Sequence, residues 1–425
     1  MTLPLPQGEG RGEGTQTPSS PSAVAQIIDA LRVAQRHLSS RPRGEVIETL
    51  SAVVDDWLAP DSPWLARAVA LLPSASGFSA PMIRRALPTM LEPLRAPALT
   101  ELVQHQAGDR HGPALILHVL PGNLPGLAAI PAALSLAVGS AALLKPGRGD
   151  RVFPALFIAS LAARDGALAA CLAAPYWPGG DRGCEDVALA AADVVVAAGD
   201  DASIADLARR TRGRFVGHGH RISFALVTRP LAGDPASAAA LALDTAIWDQ
   251  RGCLSPQLCF VEGDREAASG FATQVAAELA RLAESLPPAQ LSVGDRLAIR
   301  RLRDEAEWAR FDGERASVLA PDDEAAGTVV VEPRPAFRPS PLGRSLRVMP
   351  ISSFEALIEI LRRHRGVLEG AGLAAEPDCW APLAAGLEAS GVHLVSELGA
   401  MQRPPLAWRQ GGRARLGSWL NSDAS

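Results

Sequence analysis

The stretch ALILHVLPGNLPGLAAIPAALSLAVGSAALLKPG, residues 114–147, decides the fold. ALILHVL (114–120) is short, apolar and bounded by turn residues, which predicts a buried strand. PGN (121–123) reads as a turn, Pro125 can open a helix running to about Ala137, and AALLK (141–145) reads as a second strand. A strand, a helix and a strand in succession form a β-α-β unit, the building block of parallel sheets. Residues 112–144 hold no Asp, Glu, Lys or Arg, and that length could also span a bilayer. Prolines, Asn123 and Gly/Pro turns interrupt it, however, and buried parallel strands read as continuous apolar runs. No membrane span is therefore expected.

Working outward, the same alternation continues. A helix (about 152–164), an apolar stretch (168–174), a helix (about 184–191) and the strand DVVVAA (193–198) follow. A short helix near 202–210 and the strand SFALV (223–227) complete this half. Upstream, apolar residues recur at helical spacing from Ala23 to about Gln106, and prolines divide the region into several short helices. Residues 1–22 are low-complexity and predict a disordered tail, or a misassigned start. The second half reads as a helix (about 236–248), the polar turn DQRGCLSPQ (249–257) and the strand LCFVEG (258–263). A charged helical region (about 265–311) and strands near 327–332 and 345–350 come next. Helices at 354–364 and near 381–389, then the strand VHLV (392–395), precede an irregular tail. The expected domains are 1–22 (tail), 23–228 (N-terminal helices and a parallel α/β unit), 229–395 (a second α/β unit) and 396–425 (a tail returning to the first unit or to a subunit interface).

Composition narrows the function classes. The chain has 425 residues, 48% of them apolar, enough for a sizeable core without disulfides or a structural metal. A net charge of −5 argues against a nucleic-acid partner. The 38 glycines and 35 prolines imply many turns and show no collagen period. Five cysteines, without a CxxC pair or zinc spacing, suit a reduced, cytoplasmic setting and predict no metal site. No signal peptide is visible. Lys145 is the only lysine, and Pro146 follows it, so there is no Walker A loop. GxGxxG, HExxH, GxSxG and EF-hand patterns are absent too.

Three residues acquire chemistry. Cys253, between Gly252 and Leu254, sits in a turn where a thiolate can be reached and acylated, whereas Cys259 falls inside an apolar strand. A lone cysteine is more often a small packed hydrophobe. Asn123 places a carboxamide in a tight turn directly after a strand, where its N–H₂ can serve an oxyanion hole; taken alone, it is a turn asparagine. Lys145 ends a strand in a chain that otherwise uses arginine, a hint that a guanidinium will not serve there; chance is the alternative.

Together, and in this order, they resemble the aldehyde dehydrogenase superfamily, and within it the LuxC-type fatty acyl-CoA reductases of bacterial bioluminescence and other bacterial pathways. The matching stretches are PGNLPGLAAIPAALSLAVGSAALLKPG (121–147), ADVVVAAGDDASIADL (192–207), GHRISFALV (219–227), DQRGCLSPQLCFVEG (249–263), PLGRSLRVMPI (341–351) and GAMQRPPLAW (399–408). DQRGCLSPQ is the most specific of them. The resemblance implies an aldehyde dehydrogenase-like α/β fold, with a parallel-sheet cofactor domain, an α/β catalytic domain and a helical N-terminal layer. It implies that Cys253 is the acylated nucleophile and that the Asn123 amide and the Cys253 N–H hold the oxyanion. Lys145 would reach the adenosine ribose, and Gly199 would lie near the nicotinamide ring or the pyrophosphate. This family binds its dinucleotide without a GxGxxG fingerprint.

The departures from the superfamily pattern are informative. Hydrolytic members carry a general-base Glu in an ELGGK-like segment; here that segment reads GHGHR (217–221). Without that base, water is not activated to deacylate the thioester, which suits exchange with a thiol such as CoA or reduction by hydride. A second family Glu, which binds the nicotinamide ribose, is replaced within SPLGR (340–344). Arg148 stands where NAD-using relatives have Glu, and an arginine attracts a 2′-phosphate, so NADPH is expected over NADH. His218 and His220 are candidate proton donors, with a structural turn as the bland reading.

The expected function is NADPH-dependent reduction of an acyl-CoA or acyl-carrier thioester to the aldehyde. The donor could come from an acyl-activating partner protein, and a homo-oligomer is expected by analogy. Reduction of a small or phosphorylated acyl substrate, or a non-catalytic acyl-binding scaffold subunit, are the alternatives.

Overall fold

The computed structural model describes residues 18–311, 316–319 and 326–420. The chain divides into two compact units, one running to His220 and taking in the segment from Pro405 onward, the other Arg221–Pro404.

The first unit opens with five helices, α1 (Pro21–Leu38), α2 (Arg43–Leu58), α3 (Pro63–Ser76), α4 (Ala80–Leu91) and α5 (Ala96–Gln106). Local sequence starts three of them the same way. Ser20, Ser62 and Ser79 are N-caps whose hydroxyls accept from the N–H of Ala23, Leu65 and Met82, and a proline follows in each first turn. Of the expected disordered tail, residues 1–17 lie outside the described residues. Its end is ordered instead: Ser20 caps α1, and Pro21 and Ser22 form its first turn. Trp57 of α2 is fully buried beside Phe153, at 5.5 Å, and its indole N–H donates to Ser160 Oγ at 2.9 Å. Burying an aromatic of this kind contributes about 3 kcal/mol.

An alternating series follows: β1 (Leu115–Val119), α6 (Ala129–Ala137), β2 (Ala141–Lys145), α7 (Phe153–Arg164), α8 (Gly166–Ala169), β3 (Leu172–Ala173), α9 (Arg182–Ala191), β4 (Val194–Ala198), α10 (Asp201–Arg210) and β5 (Arg214–His218). The five strands form one parallel sheet in the order β3-β2-β1-β4-β5. The helix expected from Pro125 begins only at Ala129, because Gly126 adopts φ +99° and breaks the first turn. Strand β5 was not expected. His218 is its last residue, and the turn is confined to Gly219 and His220. The segment from Pro405 packs onto this unit. Leu416 N–H donates to Gln106 at 2.9 Å, Arg214 donates to the Leu420 carbonyl, and Trp419 lies edge-on to His118 at 5.2 Å. Trp408 and Trp419 are both buried.

The second unit holds β6 (Ile222–Val227), α11 (Pro235–Ala246), β7 (Pro256–Glu262), α12 (Arg265–Ser285), α13 (Val293–Phe311), β8 (Ser317–Leu319), β9 (Thr328–Val331), β10 (Ser345–Ile351), α14 (Phe354–Arg362), β11 (Leu368–Ala374), α15 (Pro377–Ala389) and β12 (Leu394–Glu397). Its sheet runs β12-β11-β6-β7-β10-β9-β8, parallel except for β8 against β9. Strand β6, which the expected boundary at 228 assigned to the first domain, pairs here with β7 and β11. Phe224, Leu226, Leu258, Phe260, Met349 and Leu357 make the core on one face of this sheet. Among the described residues, no helix is long and apolar enough to cross a membrane.

Candidate functional site

In the first unit the expected site residues converge on one sheet edge. Asn123 follows β1, Lys145 ends β2, Gly199 follows β4 and His218 ends β5, so all four lie at the carboxyl ends of parallel strands. In the order β3-β2-β1-β4-β5 the chain reverses its direction of travel between β1 and β4. Ligands of open α/β sheets bind outside such a switch point.

Two loops meet there backbone to backbone. A Cβ on Gly147 would collide with the Gly122 backbone, and one on Gly122 would come 2.8 Å from Gly149 N and 3.0 Å from Arg148 N. Glycine is required for that approach. Leu120 N–H donates to the Lys145 carbonyl at 3.0 Å, which fixes the start of the Asn123 turn against the end of β2. Asp150 lies fully buried behind these loops, and burial pushes its carboxyl well above the usual range. Backbone N–H groups of Gly126 and Phe153 oppose that shift. Sequence reading missed Asp150; its only signal was an acidic residue three positions beyond an apolar strand and Pro-Gly.

Lys145 is buried, and desolvation lowers its pKa, with Glu185 opposing the shift. Arg148 is exposed on the same loop. A Cβ on Gly199 would meet nothing within 4 Å, so that position opens onto free space. The N-terminus of α10 beside it is not a phosphate cradle. Asp200 caps it, accepting from Ser203 N at 2.9 Å, and Asp201 accepts from His220 N at 3.1 Å. These carboxylates already occupy the helix end. The edge therefore presents two cationic side chains, Lys145 and the exposed Arg148, while the N-terminus of α10 is taken up by its own carboxylates.

His220 is exposed, and its backbone is tied to Asp201. His218 is half-buried and lies close enough to His118 to lower the pKa of that buried imidazole. Burial is the larger cause, and together they bring His118 to about 3. Its Nε2 pairs with Ser135 Oγ at 2.9 Å. Buried and with its pKa lowered this far, His118 is a neutral packing group near pH 7.

In the second unit, Cys253 stands just before β7, and it is exposed. Cys171, Cys184 and Cys259 are buried; burial pushes the Cys171 thiol up to about 11 and the Cys259 thiol higher still. Cys379 is exposed on α15. The segment leading to Cys253 is not the solvated polar turn that its composition suggests. Trp248, Asp249 and Gln250 are buried and run consecutively through left-handed backbone, at φ 57°, 48° and 61°. Non-glycine residues held in that region cost roughly 1–3 kcal/mol each, and such strain gathers where geometry must be fixed.

Side chains far along the chain hold this segment. The fully buried Arg344 donates from Nε to Asp249 Oδ1 at 2.7 Å and from Nη2 to the Leu286 carbonyl at 2.7 Å. Ala289 N–H donates to the other Asp249 oxygen at 2.9 Å. The Gln250 amide donates to the Pro256 and Ser345 carbonyls and accepts from Ser345 N. Ser223 Oγ donates to the Cys253 carbonyl at 2.7 Å and accepts from Gly370 N at 2.9 Å. Thus the SPLGR stretch, notable in sequence for a missing glutamate, supplies the arginine that anchors the cysteine loop. Nothing local could pair Asp249 with Arg344 from sequence.

The family model for acyl-CoA reductase (LuxC) matches residues 40–416. A long-chain acyl-protein thioester reductase of Aliivibrio fischeri is 24% identical over 258 residues, 59% of this chain and 51% of that protein. The chain thus spans about half the length of the curated relative it matches. Among solved structures, aldehyde dehydrogenase 21 of Physcomitrella patens superposes with a TM-score of 0.70 at 14% identity, covering 92% of this chain and 84% of that one. A benzaldehyde dehydrogenase of Corynebacterium glutamicum gives 0.68 at 14% identity over 92% and 89%. The fold is that of the aldehyde dehydrogenases. With the family model covering nearly the whole described chain, the protein belongs to the acyl-CoA reductase (LuxC) family of oxidoreductases.

Proposed function

We propose that the chain reduces a fatty acyl thioester, carried by CoA or by a carrier protein, to the aldehyde through a thioester on Cys253. The observation that carries this reading is an exposed Cys253 on a strained loop that Arg344 and Gln250 hold rigid. A rigid nucleophile lowers the entropic cost of reaching the attacking geometry. The Cys253 thiolate attacks the acyl carbonyl; a new C–S bond forms, the donor C–S bond breaks, and the donor leaves as the thiol with the proton that Cys253 released. The family resemblance gives the Asn123 carboxamide N–H₂ the role of stabilising the developing oxyanion. Lys145 and Arg148 hold the dinucleotide, and Gly199 leaves room for it. A bound nicotinamide supplies the hydride that takes the acyl group to the aldehyde. Cys253 then departs as the thiolate and is reprotonated. GHGHR contributes no carboxylate to activate water, so the thioester is protected from hydrolysis. Arg148 favours NADPH over NADH because a guanidinium pairs with a 2′-phosphate. The benzaldehyde dehydrogenase of the same fold is NAD-dependent, which supports a nicotinamide dinucleotide as the coenzyme here.

The test is absorbance decay of NADPH and of NADH with acyl-CoAs from acetyl to palmitoyl, in wild type and Cys253→Ala. Decay in wild type, faster with NADPH and abolished in the variant, is the expected result. Decay that survives Cys253→Ala removes the cysteine from the mechanism. Binding of NADPH without decay on any acyl-CoA or acyl-protein donor would point to the non-catalytic acyl-binding role.

A further inference from the structure

Asp150 is a buried acid that the proposed chemistry does not use. It closes the loop that begins with Lys145, and its own N–H donates to the Gly147 carbonyl at 3.2 Å. Its carboxyl accepts from the backbone N–H groups of Phe153 and Gly126. Oδ1 has no partner among the described residues, so both bonds fall on the other oxygen. The bond to Phe153 is local. Phe153 opens α7, and a side chain accepting from the N–H three residues on is the pattern by which Ser20, Ser62 and Ser79 cap their helices. Those serines do so without burying an acid. A buried carboxyl with one unmatched oxygen is a costly cap, and such a group calls for a reason beyond the cap. What the carboxyl adds is the second bond, to Gly126, in a different segment of the chain.

That second bond bears on Asn123. The turn after β1 is fixed at its start, where Leu120 N–H donates to the Lys145 carbonyl and Gly122 lies against the backbone of Gly147 and Gly149. At its far end Gly126 takes φ +99°, and its carbonyl accepts from Ala129 N–H at 3.1 Å as α6 begins. Asn123 stands between these two anchors. We propose that Asp150 is a positioning residue for Asn123: its carboxyl holds the Gly126 end of the turn and so fixes where the Asn123 carboxamide stands at the carboxyl edge of the sheet. The inference rests on the proposed role of Asn123 at the oxyanion. A donor that meets charge as it develops is effective because its place is set beforehand. Misplacing such a group by about 1 Å costs on the order of a hundredfold in rate. Two substitutions separate the two bonds. Asp150→Ser keeps a hydroxyl to cap α7 but is too short to span to Gly126 as well. Asp150→Asn keeps an oxygen for both N–H groups, and burial already favours the uncharged form of this side chain.

The experiment compares wild type, Asp150→Ser, Asp150→Asn, Asn123→Ala and the double variant Asn123→Ala/Asp150→Ser as full chains, with circular dichroism to confirm that each is folded. Three quantities are read: hydrogen exchange of peptides spanning 121–128, single-turnover thiol release from palmitoyl-CoA, and the Kd for NADPH by fluorescence titration. In Asp150→Ser, exchange across the turn is expected to be at least about tenfold faster and thiol release at least about tenfold slower. Its NADPH Kd should stay within about threefold, because the Lys145 loop keeps its glycine contacts. Asp150→Asn should restore exchange and thiol release to within about threefold of wild type. The double variant should be no slower than Asn123→Ala, since an absent donor cannot be misplaced. Unchanged exchange in Asp150→Ser overturns the proposal, and so does a double variant slowed by the product of the single effects. A loss of NADPH affinity at an unchanged rate of thiol release overturns it too, and assigns Asp150 to the dinucleotide loop. Asn123→Ala at the wild-type rate removes the role on which the inference rests and overturns it as well. A wild type that releases no thiol refutes the proposed function by itself, and exchange in Asp150→Ser then still decides whether Asp150 holds the turn.

Discussion

At the scale of single residues, the ion pair between Arg344 and Asp249 decides where Cys253 sits. Both side chains are removed from water, the arginine completely. A buried pair is weak evidence for net stability, but removing one partner strands the other charge without compensation, at about 3–5 kcal/mol. Arg344→Met is therefore expected to cost about that much in urea-induced unfolding. It should also slow acylation of Cys253, because Trp248, Asp249 and Gln250 lose the contact that holds them in left-handed backbone. A loss below about 1 kcal/mol would mean that the Ala289 N–H suffices to hold Asp249. Arg344 is itself at φ 60°, so the variant adds no new backbone strain of its own. None of this was legible locally. The left-handed run uses Trp, Asp and Gln where a sequence reader looks for glycine, and the partners lie in different elements.

At the scale of elements, the pieces visible in the sequence were those whose side chains carry the pattern. The β-α-β unit, the proline-started helices and the strand after Cys253 all announce themselves through apolar runs or caps. Three strands did not, the three-residue β8 among them. β5, RFVGH, is half-polar and ends in the histidine turn. β11, LEGAGLA, is buried along its whole length yet carries two glycines, which weaken strand propensity. The glycines are there for neighbours that come too close for a side chain. A Cβ on Gly370 would lie 2.8 Å from Leu254 Cδ2 and 3.0 Å from Ser223 Oγ, the hydroxyl that bonds the Cys253 carbonyl. Gly370→Ala should thus press on both supports of the nucleophile. The expected outcome is a stability loss of about 1–3 kcal/mol from overpacking. With it should come a drop in the single-turnover rate of thiol release from acyl-CoA, with KM nearly unchanged. An unchanged acylation rate at reduced stability would show that the loop absorbs the intrusion without moving Cys253.

At the scale of the whole molecule, stability as a function of pH should report a group the chemistry does not use. His118 sits where β1, the Ser135 hydroxyl of α6 and the Trp419 ring of the returning C-terminal segment meet. Burial, and secondarily His218, lowers its pKa from 6.5 to about 3 in the fold. The unfolded chain therefore takes up a proton first as pH falls. The contribution is complete above about 6.5 and is lost progressively as pH drops from there towards 3. Each unit of pH within that window costs up to ~1.4 kcal/mol, so by pH 5 about 2 kcal/mol should be gone. His118→Asn keeps a group able to bond Ser135 but cannot titrate. Denaturant unfolding at pH 7.5 and pH 5 should show wild type losing about 2 kcal/mol more than His118→Asn over that interval. Equal losses in the two proteins would mean that the imidazole gains its proton inside the fold. In that case water would reach the seam between β1 and the returning segment, and Trp419 would not be sealing it.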